Sequence, residues 1–213
     1  MNQAIQEQPG TKTTDRPLYS PGLEGVIAGE SALCQVDEGE AGLRYRGYAI
    51  GDLAKWSRFE EVAYLLLIGH LPTRNELDSF STLLRGHRVL PDPVQRFIDS
   101  LQPGLHPMDV LRTGISLLGL SDPDAQDGSH EANLRKSMRL LSQIPLLIAH
   151  SYRVMAGTVP QRSDESRDFA QHLLHLVAGH KDGESGTAMA QALNVSLILY
   201  AEHEFNASTF AAR

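Results

Sequence analysis

The stretch Ser196-Leu-Ile-Leu-Tyr-Ala-Glu-His-Glu-Phe-Asn-Ala-Ser-Thr-Phe-Ala-Ala-Arg213 decides how the chain is read. Leu193, Leu197, Tyr200 and Ala201 recur at helical spacing on one face, and Val195, Ile198 and Leu199 supply a second. The pattern predicts a helix buried on most sides. Its end is polar. Glu202 and Glu204 fall where the helix macrodipole disfavours anions, and His203 lies between them. Two carboxylates and a negative helix end all favour the imidazolium. His203 is therefore a candidate donor to an anionic ligand near neutral pH, with Asn206 and Ser208 as short polar groups beyond it. The same residues also suit a helix C-cap, with His203 over the last carbonyls and Asn206 in a left-handed conformation. Both readings stand on these residues alone.

Working back from that helix, the chain is helical in pattern as far as Ile50. Phe169, Leu173, Leu176 and Val177 keep helical period to Ala178, Gly179 is a suitable terminator, and His180 to Gly186 form the link onward. Thr158 to Ser166 is polar and reads as a surface loop. A long helix is expected from about Glu131 to Ala156, with Pro145 removing one backbone donor and giving a kink or break. Leu120 to Asp127 reads as a polar loop. Pro107 suits the first turn of a helix running to about Leu118, and Pro91 and Pro93 restart the chain for a short helix to Ser100. Ser57-Arg-Phe-Glu60 and Thr73-Arg-Asn-Glu76 both have capping-box form, so helices should start at Ser57 and Thr73. Their core stripes are Val62, Leu65, Leu66 and Gly69, then Leu77, Phe80, Leu83 and Leu84.

Before Ile50 the pattern changes. Val26 to Ala28 and Leu33 to Val36 flank Gly29-Glu30-Ser31, and Asp37 to Gly42 is a second turn signal, so residues 16–50 should hold short strands or a hairpin. Residues 1–15 are polar, contain Pro9 and Gly10, and read as a disordered arm without a secretory core. No second domain boundary or repeat is visible within 51–213.

Composition narrows the function classes. With 19 Lys and Arg against 26 Asp and Glu, the formal charge is −7. No basic run of the density used on nucleic acid or lipid occurs, so neither nucleic acid nor a membrane is expected as a partner. The single cysteine, Cys34, allows no internal disulfide and suits a reducing cytoplasm. Nine histidines invite a metal reading, with His172 and His175 one turn apart and His180 nearby. Without a placed carboxylate or cysteine the spacing fits an exposed helix edge better, and no metal site is expected. His203-Glu204 lacks the second histidine of a zinc protease, and no dinucleotide, phosphate-loop or Gly-x-Ser-x-Gly element is present.

Glu202-His-Glu-Phe-Asn-Ala-Ser-Thr-Phe210 resembles the segment of bacterial citrate synthases, and of the closely similar 2-methylcitrate synthases, that carries an oxaloacetate-binding histidine. Gly22-Leu-Glu-Gly-Val26, Tyr45-Arg-Gly-Tyr-Ala-Ile50, Phe59-Glu-Glu-Val-Ala-Tyr-Leu-Leu-Leu67 and His106-Pro-Met-Asp-Val-Leu-Arg-Thr113 resemble other blocks of that family in the same order. Together the blocks cover about residues 20 to 213. The resemblance implies a mainly α fold in which residues 51–213 form part of the large domain, preceded by a short β-hairpin. It implies a transferase that joins acetyl-CoA, a co-substrate and not a cofactor, to oxaloacetate through an enolate, yielding citrate and CoA.

In the family an aspartate removes the methyl proton, one histidine stabilises the enolate and another polarises the ketone, all later than the blocks matched here. The resemblance thus places the chain in the N-terminal part of such an enzyme, with no catalytic residue within it. His203 and Asn206 are the substrate-binding candidates, with Ser208 weaker. Tyr200 stands where the family often has histidine, and Glu202 where it often has aspartate. Inactivity alone is expected, with a homo-oligomer or a complementing C-terminal fragment as partner. The alternatives are propionyl-CoA chemistry, as in 2-methylcitrate synthase, and a catalytically dead helical module that uses the family's dimer helices as an interaction surface.

Overall fold

The computed structural model describes residues 29–36, 42–179, 183–202, 206 and 208. They fall into two units: Ser31–Glu204, and a second made of Met1–Glu30 with Phe205–Arg213. In the second unit Gly29, Glu30, Asn206 and Ser208 are described, and all four are exposed. The expected arm at 1–15 and strand at Val26 to Ala28 lie outside the described residues. The rest of this section concerns Ser31–Glu204.

A tight turn starts the fold. Arg46 and Gly47 both have positive φ, 49° and 89°, the combination that matches strand twist in a two-residue hairpin. They join β2 (Leu43–Tyr45) to β3 (Tyr48–Ala49), and β1 (Cys34–Val36) pairs with the other edge of β2 with Cys34 opposite Tyr45. The expected hairpin is thus a three-stranded antiparallel meander. Cys34 is buried.

Eight helices follow among the described residues: α1 (Ile50–Trp56), α2 (Phe59–Ile68), α3 (Arg74–Gly86), α4 (Asp92–Asp99), α5 (Pro107–Leu120), α6 (His130–Met155), α7 (Phe169–Ala178) and α8 (Gly183–Leu199). The mainly α reading holds. α3 starts as its capping box requires, with the Glu76 side chain accepting from Thr73 N at 2.7 Å. α2 does not start at Ser57. Its N-cap is Arg58, whose N–H donates to Glu61 Oε2 at 2.7 Å, because Glu60 is turned inward to another helix. α8 begins at Gly183, so the second half of the expected 180–186 link is helical.

α6 runs unbroken through Pro145, where a break or kink was expected, and it separates two cores. On one side Leu147 packs with Val94, Ile98, Val110 and Leu118 of α4 and α5. On the other, Leu146 and Ala149 meet Leu176 of α7. A third core gathers Tyr45, Leu53, Val62, Leu65, Phe80, Leu84, Phe169 and Ile198 from β2, α1, α2, α3, α7 and α8. Each fully buried side chain of Leu or Phe size contributes about 1.5–3 kcal/mol. The polar 121–127 loop is tied to α6 by ions: Arg139 bonds Asp122 at 2.7 Å and Asp124 at 2.6 Å, and Arg135 bonds Asp124 at 2.6 Å. No helix among the described residues is long and apolar enough to cross a membrane.

α8 departs from its pattern. Its buried stripe is Gly186, Ala190, Asn194 and Ile198, whereas Met189, Leu199 and Tyr200 are exposed. The helix is buried on one face only, because that face carries the small residues and the amide that let α1, α2 and α7 approach.

Gly114 lets Leu147 of α6 press against α5: a Cβ there would lie 2.5 Å from Leu147 Cδ1. Gly114→Val should therefore lower stability in urea unfolding by about 1–3 kcal/mol through overpacking. Combining it with Leu147→Ala should cost less than the sum of the two single changes, because the truncation vacates the space the valine needs.

Candidate functional site

The end of α8 is held from outside the helix. An α-helix leaves its last carbonyls without intrahelical donors. Here Tyr45, 0 % exposed at the end of β2, brings its phenol oxygen to 3.2 Å from Ile198 O, 3.3 Å from Leu199 O and 3.0 Å from Glu202 O. The hydroxyl donates among these carbonyls and accepts from Glu202 N at 3.2 Å. Burial pushes the phenol pKa up, so it keeps its proton to donate. One hydroxyl thus fixes the chain at Glu202, one residue before His203. The β2 block and the α8 block, far apart in sequence, meet at this contact.

Two more side chains perform the same service at helix starts. Asn194 Oδ1 accepts from Phe59 N at 2.8 Å while its Nδ2 donates to Ser57 O at 3.2 Å, pinning α8 to the α1–α2 junction. Glu60 Oε1 accepts from Phe169 N at 2.6 Å, joining α2 to the start of α7. The rings of Phe59 and Phe169 lie 4.7 Å apart beside these bonds. Burial raises the Glu60 pKa, while the Phe169 N–H opposes the rise.

Of the sequence candidates, His203 lies outside the described residues. Asn206 is exposed, and so is Ser208. Tyr200 is exposed and Glu202 is half-buried, its backbone in the Tyr45 clasp.

His172 and His175 do not form an exposed edge. His172 is 2 % exposed, with Nε2 3.0 Å from Ser163 Oγ, and His175 Nε2 lies 3.1 Å from Arg162 O. Burial first and the Arg88 charge second bring the His172 pKa down to about 3, so the ring is neutral and serves the packing of α7. Among the described residues no group of three or more His, Cys, Asp or Glu is arranged to hold a metal ion. His180 is outside the described residues. The sequence reading missed Tyr45, Asn194 and Glu60 as organisers. Asn194, a lone amide between Leu193 and Val195 within an apolar helix, carries a visible signal.

The comparisons with known proteins agree on one family. The family model described as citrate synthase, C-terminal domain, matches residues 22–213. The 2-methylcitrate synthase of Shewanella oneidensis is 43% identical over 201 residues, which cover 93% of this chain and 52% of that protein. The citrate synthase of Pyrobaculum aerophilum superposes with a TM-score of 0.81 at 30% identity, over 97% of this chain and 54% of that one. A citrate synthase from Thermoplasma acidophilum, solved as a ternary complex with carboxymethyl coenzyme A and oxaloacetate, gives 0.78 at 26%, over 89% and 49%. The chain spans about half the length of the curated relatives it matches.

Tyr45→Phe leaves the carbonyls at the end of α8 and the Glu202 N–H without their buried partner. It should cost about 1–3 kcal/mol in chemical unfolding, with faster hydrogen exchange at Glu202 than in the parent chain.

For His172 the folded value, about 3, lies below the ordinary 6.5, so its neutral form favours the folded state above pH 6.5. That contribution is lost as pH falls from 6.5 towards 3, by up to about 1.4 kcal/mol per pH unit. Unfolding free energies from about pH 7 to about pH 4 should fall less steeply in His172→Gln than in the parent.

Proposed function

This chain belongs to the citrate synthase family, and on that basis we propose that it supplies the N-terminal part of the large domain of an acyltransferase condensing acetyl-CoA with oxaloacetate to citrate and CoA. The observation that carries this reading is the Tyr45 clasp. It joins the Tyr45–Ile50 block to the end of α8, setting the backbone at the residue before His203. His203 is the next residue in the sequence, between Glu202 and Glu204, and an imidazole there is suited to donate to a dicarboxylate. His203 grips oxaloacetate, Asn206 makes a neighbouring contact, and the side chains that move protons and stabilise the enolate come from the part of the family's length that these 213 residues do not span. The ternary complex of the Thermoplasma acidophilum citrate synthase supports the pairing of oxaloacetate with a CoA derivative. The protein works in the cytoplasm, as a homo-oligomer or with a complementing C-terminal portion. No resident cofactor is required, because the chemistry rests on positioned acids, bases and donors in a closed cleft.

A second reading, propionyl-CoA chemistry giving 2-methylcitrate, is favoured by the name of the Shewanella oneidensis relative, at 43% identity. Comparing kcat/KM for acetyl-CoA and propionyl-CoA in one assay separates the two.

Thiol release from acetyl-CoA and oxaloacetate should be absent with the 213-residue polypeptide alone and present once a polypeptide carrying the remaining family segment is added. In that complemented enzyme His203→Ala should lower kcat/KM for oxaloacetate by roughly 10²–10³. Turnover by the polypeptide alone, or unchanged kinetics in the variant, would contradict the assignment.

A further inference from the structure

Exposed apolar residues of α5 and α6 meet at one groove. Met108, near the start of α5, is 62 % exposed, and Ile148 and Tyr152, in the C-terminal part of α6, are 43 % and 55 % exposed. Ile148, Tyr152 and Met155 follow one another at helical spacing, so they form one row along α6. These residues line a cavity of about 320 Å³, together with the buried Val110 and Leu147. No charged residue is on its lining. The two charges in this part of α5, Asp109 and Arg112, are exposed and pair with each other at 3.1 Å.

Large apolar side chains open to water, without a charge among them, mark a surface that another polypeptide covers. A groove walled by two helices receives an apolar helix, and methionines on both walls adapt to its side chains. A second copy of the chain is the poorer occupant. A two-fold pair sets like patch against like patch, so this groove would face its own image and stay unfilled. The ridge that fills it must come from a different segment. The 201 matched residues make up 52% of the Shewanella oneidensis relative, so close to half of that protein's length has no counterpart here.

We infer that the groove between α5 and α6 docks an apolar helix of the C-terminal portion that completes the enzyme, an inference that rests on the proposed reading that such a portion exists. Its side chains enter between Met108 and the row Ile148, Tyr152 and Met155, while the Asp109–Arg112 pair stays outside the lining. Burial of these apolar surfaces drives the association. The groove is a tie separate from the Tyr45 clasp, and no residue of that clasp takes part in it.

The test is co-expression of the tagged 213-residue chain with the segment of the Shewanella oneidensis relative that has no counterpart here, reading how much of that segment is retained with the tag. Ile148→Lys and Met108→Lys each put a charge on the lining, and each should lower retention about tenfold. Leu83→Lys, on α3 at the same 43 % exposure as Ile148, should leave it unchanged. A second readout needs no variant: hydrogen peroxide should oxidise Met108 about tenfold more slowly in the complex than in the chain alone. Thiol release from acetyl-CoA and oxaloacetate is followed in parallel. Retention without turnover overturns the assigned reaction and keeps the docking, whereas turnover with undiminished retention in both groove variants overturns the docking and keeps the reaction. The docking is also overturned by no retention with the parent chain, by equal loss in Leu83→Lys, or by unchanged Met108 oxidation. A dimer of the 213-residue chain alone that Ile148→Lys dissolves would give the groove to a second copy and overturn it as well.

Discussion

The contact between the Tyr45 hydroxyl and the end of α8 is the constraint from which the rest of the arrangement follows. A helix end inside a protein must find donors for its carbonyls or face water. α8 finds one in a side chain from the sheet, which obliges β2 to lie beside it and sets where the chain leaves the helix. The same logic recurs at the opposite polarity. Asn194 serves the start of α2, and Glu60 the start of α7, so side chains of other elements add to the local capping boxes at these helix termini. Each such bond does double duty as a tertiary tie between segments more than one hundred residues apart.

These ties explain why the core beneath them can be built of ordinary apolar residues. Phe59, Phe169, Val62, Leu65 and Ile198 need only fill volume, since the polar bonds specify the register of α2, α7 and α8. On the far side of α6 close packing at Gly114 and Leu147 accompanies a bond from Gln143 Nε2 to Val89 O at 3.0 Å and the ion pairs of Arg135 and Arg139.

Much of the helical layout was legible in the sequence, and for local reasons. The Thr73–Glu76 capping box, Pro107 in a first turn and Gly179 after the last residue of α7 act within a few residues of themselves, so their meaning survives without a tertiary context. What was not legible depended on distant partners. Ser57 has the spacing of an α2 cap with Glu60, but Glu60 is claimed by Phe169 N, and Arg58 with Glu61 takes over. His172 and His175, one turn apart, have the spacing of an exposed edge, and only the fold brings Ser163 Oγ to the His172 ring. The buried face of α8 is hidden from hydropathy, which favours Leu199 and Tyr200 over Gly186 and Asn194, whereas close approach favours the small residues and the amide. The reading of His203 drew on resemblance and not on periodicity, since polar residues at a helix end fit a cap as well as a ligand.

The passage from β2 into α1 has a consequence for how this chain can vary in length. Tyr45 is moored to the end of α8, and five residues later α1 begins and lays Leu53 into the core that also holds Ile198 of α8. Both ends of residues 45–50 are therefore fastened to one helix, with only two turn residues and a two-residue strand between. A deletion there would pull one mooring loose, and an insertion would bulge against a turn already in left-handed geometry. Length polymorphism should be excluded from these six positions.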